Sequence, residues 1–172
     1  MGASSTPGKS LAPGDRLPRL ELSDAGGGPV RLRDPAHGAV VVAYLARPEA
    51  AEAREYLAAL RAMEPEFRQW YGRTVVITGP ETGVAGEALP SGRPASPVVP
   101  DPAGELRRGL GIEDDYALFI ADRWGQLYAV WHGPTATDLP DIREIVEWLR
   151  FLATQCPECG VPDEPGAGEW AP

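Results

Sequence analysis

Hydrophobic residues along the 172-residue chain fall into blocks of two different periods. Val40-Val41-Val42-Ala43-Tyr44-Leu45 is a run of six with no polar interruption. It predicts a central strand buried on both faces. Residues 74–78 predict a second buried strand. Between the two, Tyr56, Leu60, Met63, Phe67 and Tyr71 recur at helical spacing, with Glu55, Arg61 and Arg68 off that face. This is the pattern of an amphipathic helix. Pro48 suits its first turn, and Glu49 and Glu52 complement the positive end of its dipole. Pro65 predicts a kink or a division, and Gly72 the end.

Shorter blocks complete the chain. Residues 17–22 and 30–32 read as two strands around the Gly26-Gly27-Gly28 turn. The Gly- and Pro-rich stretch 79–102 reads as loop, with a short strand at Pro97-Val98-Val99. Asp101 to Leu106 opens a short helix that ends near residues 109–111. Residues 117–121 and 126–131 form a hairpin around a turn at 122–125. A last helix follows Asp138-Leu139-Pro140, with Ile142, Ile145, Val146, Leu149 and Leu152 on its apolar face. The order β-β-β-α-β-α-β-β-α places a parallel pair before an antiparallel hairpin, an α/β arrangement with helices on both faces. It predicts a flexible arm over residues 1–12, one domain over 13–155, and a tail over 156–172.

Composition changes this picture little. The hydrophobic content of 43% is enough for one core. The net charge of -9 argues against nucleic acid or an anionic membrane surface as a partner. No stretch approaches the ~20 apolar residues of a membrane span. The first ten residues lack the apolar core of a secretory signal, so a soluble, cytoplasmic protein is expected. Gly2 with Thr6 matches a myristoylation pattern that nothing else supports. Gly8-Lys9-Ser10 lacks the earlier glycine of a phosphate-binding loop, where Ala3 stands.

Four stretches carry a resemblance. They are Gly14-Asp15-Arg16-Leu17-Pro18, the hairpin over residues 20–32, Val98-Val99-Pro100-Asp101-Pro102-Ala103-Gly104-Glu105-Leu106, and Leu118-Phe119-Ile120-Ala121-Asp122-Arg123-Trp124-Gly125-Gln126-Leu127. Taken in order, over residues 12 to 154, they resemble the peroxiredoxin and redoxin group (alkyl hydroperoxide reductase and thiol-specific antioxidant). The resemblance implies a thioredoxin-like α/β fold, a three-layer sandwich with a mixed central sheet. It also implies an attacking cysteine one turn after the central strand. Here that stretch reads Ala46-Arg47-Pro48-Glu49-Ala50-Ala51-Glu52, with alanine at the cysteine position, Ala50 or Ala51 by alignment. Before the Leu118 strand the family places an arginine, and thioredoxins a cis-proline; this chain has Asp114-Asp115-Tyr116. Both the peroxide-polarising cation and the thiol-docking turn are expected to be missing, and peroxide reduction by the family's mechanism with them.

The two cysteines lie instead in Cys156-Pro157-Glu158-Cys159-Gly160. Three readings stay open. Cys156 and Cys159 form a zinc knuckle, completed by a second subunit across a two-fold axis, or by His132 or a carboxylate. Alternatively they are a redox dithiol, with Cys156 attacking and Cys159 resolving. As a third reading they are inert thiols. The end of a helix and the acids Glu158, Asp163 and Glu164 raise a thiol pKa but favour a divalent cation, so zinc is the expected cofactor. His132 otherwise reads as a packed or capping residue, and His37 as a loop residue. There is no G-x-S-x-G and no support for a serine triad. Trp170, on the acidic Pro/Gly-rich tail, reads as an anchor that docks on a partner or, as the favoured reading, packs back on its own domain. The expected function is a binding or assembly component, as a homodimer or with a protein partner. The alternative is a thiol–disulfide oxidoreductase or redox sensor.

Overall fold

The computed structural model describes residues 10–35, 38–79 and 96–155. The strands are β1 (Glu21–Ser23), β2 (Pro29–Arg31), β3 (Val40–Leu45), β4 (Arg73–Thr78), β5 (Val98–Pro100), β6 (Tyr116–Ala121) and β7 (Leu127–Gly133). The helices are α1 (Ala51–Gln69) after β3, α2 (Glu105–Gly109) after β5, and α3 (Ile142–Thr154) at the end, preceded by a 3-10 turn at Ala136–Asp138. Five strands form one sheet in the order β5-β4-β3-β6-β7, while β1 and β2 pair separately. β3, β4 and β5 run parallel, and β6 and β7 are antiparallel to their neighbours. The sheet is mixed, as the order of elements predicts.

β3 is buried along its whole length, and its alternation sets the layers. Val40, Val42 and Tyr44 face one core, together with Leu32, Leu110 and Ile112 from the β2 and α2 side. Val41, Ala43 and Leu45 face the other, against Ala53, Leu60 and Phe67 of α1 and Ile145 and Leu149 of α3. Each such aliphatic side chain is worth about 1.5–3 kcal/mol when fully buried. A strand with no solvent face cannot shift register without exposing part of it.

Three expectations need correcting. Pro65 lies within an unbroken α1. Leu60 and Phe67, both buried, hold the helix on either side of it, and that packing offsets the lost backbone bond. The buried stripe of α1 runs through Ala53, Leu60, Glu64 and Phe67, and the Glu64 carboxylate accepts from the Ser96 hydroxyl. Tyr71, expected on that stripe, lies past the helix end at φ 56° and is 71% exposed. The amides of Trp70 and Gly72 both close onto the Phe67 carbonyl, which turns Tyr71 outward. Finally, the first strand is shorter than residues 17–22. Leu17 is buried, but its amide bonds to the Gly125 carbonyl of the β6–β7 turn rather than to β2.

Local capping follows the sequence. The Asp101 carboxylate accepts from the amides of Leu106 and Arg107 and so starts α2. Asp141 accepts from the Arg143 amide at the start of α3. Asp122 accepts from the amides of Trp124 and Gln126 and shapes the β6–β7 turn. Among the described residues, no helix is long and apolar enough to cross a membrane.

The approach of β3 to the end of α1 requires a glycine. A Cβ at Gly38 would lie 2.2 Å from the Tyr71 carbonyl oxygen. Gly38→Ala should therefore cost about 1–3 kcal/mol, read as a lower urea midpoint with an unchanged slope. Gly109→Ala, where a Cβ meets nothing within 4 Å, should be neutral or stabilising by about 0.5–1 kcal/mol.

Candidate functional site

The position where the resemblance puts a reactive sulfur lies at the carboxyl end of β3. The Ala46 amide donates to the Asp115 carbonyl (2.8 Å) and the Gly79 amide to the Leu45 carbonyl (2.9 Å), so the strand end is tied to both neighbouring loops. Residues 47–50 form a turn closed by the Ala50 amide on the Arg47 carbonyl (3.2 Å), and the Arg54 amide on the Ala50 carbonyl begins α1. Ala50 is the N-cap and supplies no side-chain acceptor to the first-turn amides. An anionic sulfur here would meet those amides and the positive end of a 19-residue helix. The alanine methyl offers no lone pair to either.

Charged groups converge beside this turn. Arg47 Nη2 lies 2.8 Å from Asp115 Oδ2, and Arg107 Nη2 3.9 Å from Asp115 Oδ1. The sequence led us to expect no cation before β6. Arg107 in fact stands there, contributed by α2 rather than by the loop. Two of its three nitrogens are bound to backbone carbonyls. Nε bonds the Ile112 carbonyl (3.2 Å), and Nη2 bonds those of Glu113 (2.6 Å) and Asp114 (3.2 Å). Its guanidinium lies 5.9 Å from the centre of the Tyr44 ring, a cation–π distance.

Tyr44 is fully buried, and the polar group beside its hydroxyl is the Arg107 guanidinium, short of good hydrogen-bond geometry. Burial raises its pKa, and the Arg107 charge pulls it partly back. Burial likewise raises the Tyr116 hydroxyl, which donates to the Arg47 carbonyl (3.4 Å). Neither phenol is activated towards ionisation. His132, considered above as a zinc ligand or a capping residue, pairs through Nδ1 with Asp114 Oδ2 at 2.7 Å on the surface. Around Ala50 and Ala51, then, are the acids Glu49 and Glu52, a guanidinium held through Nε and Nη2 by carbonyls, a carboxylate shared by two arginines, and two phenols. This set stiffens the loop before β6 and presents no nucleophile. The sequence pattern signalled neither Arg107 nor Tyr44, because the pairing depends on how α2 crosses the end of β3.

The opposite end of the sheet holds a cleft of about 300 Å³, lined in part by Trp70, Tyr71, Trp124, Tyr128 and Leu152. Ala153 and Gln155, at the end of α3, form part of its wall. Cys156, Cys159, Trp170 and His37 lie outside the described residues. Among the described residues, no three His, Cys, Asp or Glu side chains group closely enough to hold a metal ion. The structure does not bring His132 to the end of α3. His132 pairs with Ala117 at one end of the β6–β7 ladder, whereas Leu152 and Gln155 share the cleft with Asp122 and Trp124 at the other.

No family model matches the sequence, and no curated protein matches it. Solved structures do. A thiol:disulfide interchange protein of the DsbE kind from Chlorobium tepidum superposes with a TM-score of 0.66 at 23% identity, covering 84% of this chain and 99% of that one. The peroxidoxin BcpB of Mycobacterium tuberculosis gives 0.62 at 18% identity, over 81% and 97%. A peroxiredoxin-like protein from Aquifex aeolicus gives 0.64 at 16% identity, over 85% and 90%. With its five-stranded mixed sheet and helices on both faces, the chain has the thioredoxin-like fold of these redoxin structures.

Proposed function

We propose that this chain is a redoxin-like protein without a peroxidatic site, acting as a binding or assembly component. The observation that carries it is the N-terminus of α1, where Ala50 caps the helix with no nucleophile, while the nearby Arg107 has Nε and Nη2 bound to backbone carbonyls. The last described residue before the thiol pair, Gln155, lies at the other end of the sheet from Ala50. α3 ends near Gly38, before β3, while Ala50 lies beyond its far end. A six-residue strand spans about 20 Å, and Cys156 follows Gln155 directly.

In this reading Cys156 and Cys159 hold zinc in a site shared by two subunits, or otherwise link subunits. The Cys-Pro-x-Cys-Gly spacing and the surrounding acids support a cation there. The second reading is thiol–disulfide exchange through the same pair. It is favoured by the C-x-x-C spacing and by the likeness to an interchange protein of the DsbE kind.

Metal analysis of protein purified without added zinc, combined with thiol counting, separates the two. About 0.5 zinc per chain with protected thiols is expected for an all-cysteine site shared by two subunits. A metal-free disulfide that opens and closes cleanly would give the exchange reading precedence. Peroxide consumption with a thiol reductant should not exceed that of Cys156→Ser/Cys159→Ser; turnover lost in that variant would overturn the non-peroxidase reading. In the same cysteine-free background, Ala50→Cys should react with peroxide faster than a free thiol by no more than about tenfold, the gain in thiolate that a helix N-terminus supplies. Turnover at an enzymatic rate would show that only the sulfur is lacking.

A further inference from the structure

Three large hydrophobic side chains are exposed among the described residues: Tyr71 (71%), Phe151 (47%) and Trp124 (40%). They fall together. Tyr71 and Trp124 line the cleft with Trp70 and Tyr128, and Phe151 packs edge-on against Tyr128 and Trp148. Six aromatic rings thus occupy one end of a small domain, three of them exposed. An exposed aromatic patch of this kind marks an interaction site. The backbone here is itself strained. Tyr71 adopts φ 56°, a left-handed conformation that costs a residue with a Cβ about 1–2 kcal/mol, and it presents the ring to solvent.

The chemistry of the cleft points to its occupant. Aromatic-lined grooves take proline-rich, extended peptide, and indoles serve as anchors at interaction sites. The segment that leaves the cleft wall at Gln155 contains Pro157, Pro162 and Pro165 and then Trp170. It also contains Glu158, Asp163, Glu164 and Glu169. Arg123 on the cleft rim is exposed and has no ion pair among the described residues, and Arg150 lies over the Trp70 ring at 5.5 Å. Asp122, the acid in the wall, has its Oδ1 directed at the turn amides. Trp170 follows Gln155 by fifteen residues. That is about 50 Å of reach when extended, ample to fold back, and a tether of this length gives an effective concentration on the order of millimolar.

We infer that residues 157–172 dock on this cleft of their own protomer, with the Trp170 indole seated against Tyr71 and Trp124. The contact also fixes where Cys156 and Cys159 stand, since both lie between α3 and the anchor. It holds whether those thiols bind zinc or exchange disulfides.

The test is ¹⁹F NMR of the full chain labelled with 5-fluorotryptophan, with the Trp170 signal identified by Trp170→Phe. A Trp170 resonance displaced from the free-indole position, and shielded several-fold from a soluble relaxation agent, is expected. It should return to the free position in Trp124→Ala and in Tyr71→Gly. The second variant removes the ring while relieving the positive φ, so it keeps the fold, and an unchanged far-UV spectrum and melting midpoint will show that. A Trp170 signal at the free-indole position in the unmutated chain overturns the inference. A displaced signal that is lost on dilution, together with a fall in hydrodynamic size, overturns docking within one protomer and shows that a second copy's segment fills the cleft. A displaced signal indifferent to both cleft variants overturns the assignment of the site.

Discussion

Everything else in this molecule is arranged around a strand with no solvent face. Val40–Leu45 is completely buried, so each of its two sides must be covered by something of the right length and chemistry. α1 and α3 cover one side, and the β1–β2 hairpin with the α2 segment covers the other. Because sheet pairing and packing both fix its register, its two ends are fixed as well. One end delivers Arg47 to Ala50 to the start of α1. The other brings Gly38 against the end of α1 and forms the floor of the aromatic cleft. The strand thereby separates two surfaces with different chemistry by its own length.

At the first surface the backbone presents the N-terminus of a long helix, and the side chains around it pair with one another. A helix N-terminus stabilises an anion by its unpaired amides and dipole. Ala50 puts no anion there, and the acid of the first turn is Glu52, while Asp115 is held by Arg47. The Arg47–Asp115 contact is about half exposed and so contributes on the order of 1 kcal/mol or less. Arg107 matters more. It satisfies three consecutive carbonyls in the loop before β6 and covers the ring of a buried tyrosine. An arginine so committed cannot turn towards a substrate without leaving those carbonyls unpaired, at about 1–3 kcal/mol each if buried. This electrostatic arrangement is that of a clamp.

Much of the fold was legible because its signals are local. Six apolar residues in a row define β3, the Asp101 and Asp122 side chains start α2 and the β6–β7 turn, and the apolar face of α3 appears in its spacing. What was not legible depends on pairs far apart in the chain. Pro65 predicts a break, but packing of Leu60 and Phe67 on the sheet decides otherwise. The cation beside β6 is not adjacent to that strand in sequence and comes from α2. The burial of Glu64 likewise depends on Ser96, 32 positions away in the chain. The alanine at the head of α1 was the easiest feature of the site to read, since it requires only the place of one turn.

Tyr71 shows how packing elsewhere can fix a surface feature. A helix end of this kind usually assigns its left-handed residue to glycine, and Gly72 is adjacent. Yet Gly72 is needed for another purpose: a Cβ on it would come within 2.7 Å of Leu149 Cδ1 in α3. Gly38 is similarly used to let β3 approach the Tyr71 carbonyl. Both glycines admit close contacts in the domain, so the strained turn falls on the tyrosine. The strain and the outward ring follow from the same constraint that packs α3 onto α1. The cleft is therefore as rigidly specified as the core, and its aromatic wall belongs to the sheet's architecture rather than to a loop that happened to fall there.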